Sequence, residues 1–263
     1  MCEFLSAIVM RNGDILTHDA TDSHELLAEH FKLVEHRDSD KGVNGWVKVE
    51  FCPPNHEYDQ PDKYVLRLDE DCAPSWWDAE MVEKVTTSLR AMIERMIVSA
   101  NEELLLGGRH IVASGRRVDR LVGGSAIACG SSTVTAYGSS TVTAYGGTVT
   151  AYGSSTVTAY GSSTVTAYGS STVTAYGSST VTAYGGTVTA YGGTVTAYGS
   201  STVTAYGGTV TAYGGTVTAC GSSTVTAYGG TVTACGSSTV TAYGSSTVTA
   251  YGGTVIDERE VKP

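Results

Sequence analysis

From Leu121 to Ile256 the chain contains no Asp, Glu, Lys, Arg or His. That stretch has no cation to pair with phosphate, and the whole chain nets −10, which argues against nucleic acid and an anionic membrane surface as partners. No apolar run approaches the roughly 18 residues that a spanning helix needs, so no membrane span is expected. The first eleven residues, Met1 to Arg11, place no basic residue ahead of their apolar stretch and do not read as a secretory leader. A cytoplasmic location is the resulting default, with a virion or surface setting as the alternative. The six Cys, at 2, 52, 72, 129, 220 and 235, lack Cys-x-x-Cys spacing, and without a leader they are expected to be reduced thiols.

Catalytic signatures are absent too. There is no Gly-x-Ser-x-Gly elbow, no Gly-rich phosphate loop opening a helix and no His-Glu-x-x-His. His24, His30 and His36 are six residues apart, a step that rotates by about 240° on a helix and keeps them off a common face. The run Asp69-Glu70-Asp71-Cys72, with His56, is the one candidate hydrolytic or metal-binding corner, and a solvated acidic turn is the preferred reading of it. The chain is therefore expected to be no enzyme and to need no cofactor or metal.

What the sequence has instead is a repeat. A Thr-Val pair recurs seventeen times between Thr133 and Val255, in units of seven or eight residues, Thr-Val-Thr-Ala-Tyr-Gly-Gly or Thr-Val-Thr-Ala-Tyr-Gly-Ser-Ser. Short-period self-similarity signals a stacked array. Thr-Val-Thr-Ala-Tyr is a strand by β-branched content and alternation, with Val and Ala turned inward because only that assignment buries the apolar set. Gly supplies the corner, where positive φ is needed. One unit is too short for a complete coil, so two units, 14–16 residues, are expected per turn. Differences in unit length are then absorbed at the corners. Stacked at about 4.8 Å, eight such regular coils make a rod of roughly 40 Å.

Two units per coil divide the residues after Ala into two files. One file holds Tyr137, Tyr152, Tyr168, Tyr184, Tyr198, Tyr213, Tyr228 and Tyr243 without a break. The other contains all three array cysteines, Cys129, Cys220 and Cys235. Cys220 and Cys235 fall on neighbouring coils at a spacing that permits a bond, although their parallel side-chain directions weigh against one, so the sequence leaves their redox state open. The outward faces are Thr-x-Thr grids, about 6.7 Å along a strand and 4.8 Å between coils. Such a grid is a candidate surface for an ice-like water lattice. Its members include Thr133 and Thr135, Thr141 and Thr143, Thr148 and Thr150, Thr156 and Thr158, Thr164 and Thr166, and Thr172 and Thr174.

The run Ala-Tyr-Gly-Ser-Ser-Thr-Val-Thr resembles the repeat of bacterial ice-nucleation proteins, Ala-Gly-Tyr-Gly-Ser-Thr-x-Thr, in its Thr-x-Thr, Tyr and Gly. The resemblance covers about half of the chain. It implies a β-solenoid, water ordered by the Thr arrays, and side-by-side association through a Tyr ladder, here Tyr137 to Tyr243. An array of this length fits ice binding and growth inhibition better than nucleation.

The residues before the array carry nearly all the charge and all three Trp and Phe. Glu3–Met10 and Asp14–Thr17 read as strands joined by a tight turn at Asn12-Gly13. Asp22 with Glu25 suggests a capping box for a helix over about 23–35, with Leu26, Leu27, His30, Phe31 and Val34 on one side. Trp46–Phe51 and Lys63–Leu68 alternate as a further hairpin. From Asp78 on, Met81, Val82, Val85, Leu89, Met92, Ile93, Met96 and Ile97 form one apolar helical stripe. The expected fold is thus an α+β head (1–103), degenerate first coils (104–124), an all-β solenoid (125–256) and a charged tail (257–263). The expected function is a structural or assembly rod that presents Thr grids and a Tyr ladder for self-association, as a homodimer or larger assembly, with the head contacting an unidentified protein. The alternative is an ice-binding protein whose ligand is the water lattice, and a hydrolytic or metal-binding head is a distant third.

Overall fold

Residues 5–18, 23–33, 45–70 and 73–259 are described in the computed structural model of the chain, which divides into two units, Met1–Ile97 and Val98–Pro263. In the first unit, β1 (Ser6–Met10) and β2 (Ile15–Leu16) form the expected hairpin. Gly13 closes its turn at φ +87, a backbone angle that favours Gly. Then follow α1 (His24–His30), β3 (Trp46–Cys52), β4 (Val65–Leu68) and α2 (Ala79–Met96). The sheet is antiparallel in the order β2-β1-β3-β4. Alternation in β3 turns Val47, Val49 and Phe51 into the core. Asp78 caps α2 by accepting from the Met81 amide at 2.9 Å. Val85, Leu89 and Ile93 of its stripe are fully buried, and the helix packs on β4 and on the Pro61–Lys63 turn.

Helix α1 departs from the expectation. Its cap is Ser23, which accepts from the Leu26 amide, while Glu25 accepts from the Ser23 hydroxyl at 2.7 Å. That bond is the main cause of a lowered Glu25 pKa. The helix ends at His30, with Phe31 as its C-cap and Lys32 at φ +55. Leu26 is 53% exposed whereas Leu27 is buried. Asp22 and Val34 lie outside the described residues.

The second unit is built by in-register pairing of identical residues. Successive strands alternate between two parallel sheets of eleven strands each. The sheets begin with β5 (Ile97–Val98) and β6 (Leu105–Leu106), followed by β7 (Arg109–Val112), β8 (Arg117–Val122) and β9 (Ser125–Cys129). From Thr133 on, Thr lies on Thr, Val on Val and Ala on Ala through the repeat. Coil length varies: Thr180 pairs with Thr194, fourteen residues on, and Thr164 with Thr180, sixteen on. Register never slips, because a one-residue shift would turn every Val outward. The inward Val and Ala from Val134 to Ala242 are at most 1% exposed. The first coils fit less regularly. Val118 pairs with Val134 but Leu121 with Ala136, so Asp119 and Arg120 together oppose Thr135 as a bulge.

The corners carry a feature absent from the sequence-based reading. The second Ser of each Ser-Ser pair is buried. Ser163 donates its hydroxyl to the Tyr160 carbonyl (2.7 Å) and accepts the Gly146 amide of the coil beneath (2.9 Å). In the seven-residue units Gly stands at this place, and a Cβ on Gly186 would collide with the Ser171 carbonyl. Gly138 has similar φ, +68 against +77 for Gly186, but open space around it. Ala at either site costs about 1 kcal/mol for positive φ. Gly186→Ala should lose roughly 1–3 kcal/mol more through the backbone clash. Denaturant unfolding of the two variants separates the contributions, and equal losses would rule out close stacking at the corner.

Candidate functional site

The outer surface of the solenoid derives from the same alternation that fills its core. In each regular strand the Val and Ala side chains point in, and both Thr and the following Tyr or Cys point out. The first Thr of nearly every strand is exposed and the second half-buried between its neighbours. The structure arranges the candidate Thr in four files. Thr133, Thr148 and Thr164 lie in one, with Thr135, Thr150 and Thr166 beside it. On the other sheet Thr141, Thr156 and Thr172 form one file, with Thr143, Thr158 and Thr174 beside it. Both broad faces of the rod therefore present the Thr-x-Thr grid.

Parallel pairing sets identical side chains one strand spacing apart, so rings after Ala must stack. Tyr137, Tyr152, Tyr168, Tyr184, Tyr198, Tyr213, Tyr228 and Tyr243 form a continuous stack, with centroids 4.8–5.1 Å apart and planes within 14°. The second file contains a shorter stack, Tyr145, Tyr160, Tyr176, Tyr191 and Tyr206. Cys129 precedes that stack, beneath Tyr145, and Cys220 and Cys235 follow it in the ladder. Because the strands of one coil belong to opposite sheets, the two files run along opposite edges of the rod. Most rings followed by Gly-Gly stand out furthest, Tyr145 being the exception. Tyr184, Tyr191, Tyr206, Tyr213 and Tyr228 are 47–51% exposed, since no Ser-Ser shoulder flanks them.

The cysteines correct the expectation of reduced thiols and settle the open question of Cys220 and Cys235. Cys220 and Cys235 are joined in a disulfide, their Cα atoms 4.7 Å apart. That separation lies within the range a disulfide spans, and neighbouring rungs of an in-register ladder supply it directly. Parallel side-chain directions are therefore no obstacle. Cys52 is disulfide-bonded as well, against the expectation of reduced thiols. Cys129 keeps its thiol and is buried.

Charge appears only at the two ends of the long Tyr stack. The bulge in β8 swings Arg120 outward, and its guanidinium lies over the Tyr137 ring, 5.9 Å from the centroid. At the far end the Glu258 amide donates to the Ala242 carbonyl, as the Tyr152 amide does to Ala136. Glu258 thus occupies the rung after Tyr243, in the place of a ninth ring. Asp257 beside it is clamped by Arg259, whose side chain and amide hold that carboxyl down at about 2. Sequence reasoning missed both ends. The bulge has no signature in the repeat, and Glu258 is located only by counting the ladder past the point where the repeat breaks.

Among the described residues of the head's acidic corner, each candidate has its own separate contact. Asp69 pairs with His24 at 3.0 Å, and the other ring nitrogen of His24 faces the Val49 carbonyl, also at 3.0 Å. His56 lies against the Tyr58 hydroxyl instead, Glu70 accepts the Lys48 amide, and Asp71 and Cys72 are outside the described residues. Among the described residues no three His, Cys, Asp or Glu converge as metal ligands, and no helix is long and apolar enough to cross a membrane. Neither family models, curated proteins nor solved structures contain a match to this chain. What the fold establishes is a solenoid with Thr-rich strands.

Proposed function

We propose that the chain is a non-enzymatic structural protein whose rigid rod associates with a second copy of itself through the stack from Tyr137 to Tyr243. The observation that supports this reading is the continuity of that stack. Eight aromatic rings at one spacing, several of them half exposed, form the longer of the two aromatic edges of the rod, and contiguous apolar edges mark interaction sites. A rod of fixed rise also holds its side chains in place before any contact is made, which lowers the entropic cost of association. The head is left to bind a separate protein partner.

Ice binding is the second reading, favoured by a different observation. The Thr grid is in register and repeated on both faces, and its resemblance to ice-nucleation repeats lies in these residues. On this reading Thr methyls and hydroxyls hold a water lattice at the strand and coil spacings.

Two measurements separate the readings. Replacing Tyr168, Tyr184 and Tyr198 with Ser should lower the mass measured by sedimentation; an unchanged mass eliminates the Tyr interface. Replacing Thr156, Thr158, Thr172 and Thr174 with Lys should abolish thermal hysteresis and lower droplet freezing temperatures if ice is the ligand. Freezing that is identical in wild type and variant eliminates ice.

A further inference from the structure

We infer that the second copy docks antiparallel along the Tyr137–Tyr243 edge alone, with Arg120 of each copy set against Glu258 of the other, so that assembly closes at a dimer. This rests on the assembly reading above and adds orientation and stoichiometry to it.

The choice of edge follows from area. A half-exposed Tyr leaves about 100 Å² to cover and a less exposed one about 50 Å². The eight-ring stack, with Tyr184, Tyr213 and Tyr228 half exposed, then offers roughly 550 Å² per copy, or about 1,100 Å² in a pair, which clears the ~1,000 Å² that a specific interface needs. On the opposite edge only five rings are contiguous before Cys220 and Cys235 interrupt them. That stack offers about 700 Å² in a pair, within the range of adventitious contacts. The disulfide therefore does more than join two coils, because it removes the rings that would make the second edge adhesive. With two equal edges each rod would pair twice and rows would grow without limit. One adhesive edge gives a two-fold, self-limiting contact.

Direction follows from charge. Arg120 stands over the first ring of the stack and Glu258 occupies the rung beyond the last. Among the described residues Glu258 has no ion pair, while its neighbour Asp257 is already neutralised by Arg259. A two-fold axis across the middle of the stack brings Arg120 to Glu258 at both ends. Parallel docking would instead place Arg120 on Arg120 and Glu258 on Glu258. Opposite charges at the rim add little affinity, but like charges in contact are strongly disfavoured, so the ends select orientation.

Sedimentation of the full chain at low ionic strength tests this. Wild type is expected to be dimeric, Arg120→Glu and Glu258→Arg each to raise the dimer dissociation constant about tenfold, and the double exchange to return it to within a few-fold of wild type. Restoring rings with Cys220→Tyr and Cys235→Tyr should carry assembly beyond the dimer. A monomeric wild type would defeat the assembly reading itself. A dimer indifferent to both single reversals, or unrepaired by the double exchange, would overturn the antiparallel arrangement but leave association standing. A double Tyr variant that remains dimeric would overturn the role of the cysteines.

Discussion

In-register parallel pairing is the constraint on which the solenoid depends. Within the repeat Val meets Val, Thr meets Thr and, except at the cysteine rungs, Tyr meets Tyr on the next coil. The interior must therefore be uniform, and Val with Ala is the pair that fills a flattened coil between close sheets. The surface must be uniform as well, so whatever one coil displays becomes a file along the rod. Grid, ladder and disulfide all follow from that rule. A residue that would be an isolated surface group on a globular protein is repeated here at every turn.

Corners give the fold its tolerance. Strand register is fixed by burial, so variation in unit length has to be accommodated where the chain turns. Most eight-residue corners use a buried Ser whose hydroxyl satisfies a carbonyl that would otherwise be lost in the interior; the hydroxyls of Ser132, Ser238 and Ser246 have no such partner. Seven-residue corners use Gly, which lets the backbone pass against the coil beneath. The pattern of long and short corners also bears on the surface, because most Tyr rings beside Gly-Gly corners stand further out. Corner chemistry and ring exposure are thus coupled through the same two residues.

Much of this was legible in the chain itself. Strand positions, coil length, the inward Val and Ala and the division of Tyr and Cys into two files all follow from counting within the repeat, since each is a local consequence of period two. The buried Ser was legible too: Ser140, Val142 and Ala144 share one parity, and extending the alternation back by one residue turns Ser140 inward. Other features depend on contacts that no short window contains. The bulge that projects Arg120 arises from a mismatch between β8 and its partner strand. The Cys220–Cys235 bond depends on the separation of neighbouring rungs. In the head, helix α1 ends sooner than its apolar pattern suggests because the backbone at Lys32 turns left-handed.

The central claim is that residues about fifteen apart are neighbours while residues eight apart lie on opposite edges. Paired cysteine substitution tests this directly. Tyr152→Cys with Tyr168→Cys places two thiols on adjacent rungs of one file, whereas Tyr152→Cys with Tyr160→Cys places them on opposite edges. After mild oxidation and peptide mapping, the account predicts a bridge within the chain in the first variant and none in the second. A bridge between positions 152 and 160, or none between 152 and 168, would contradict the two-strand coil.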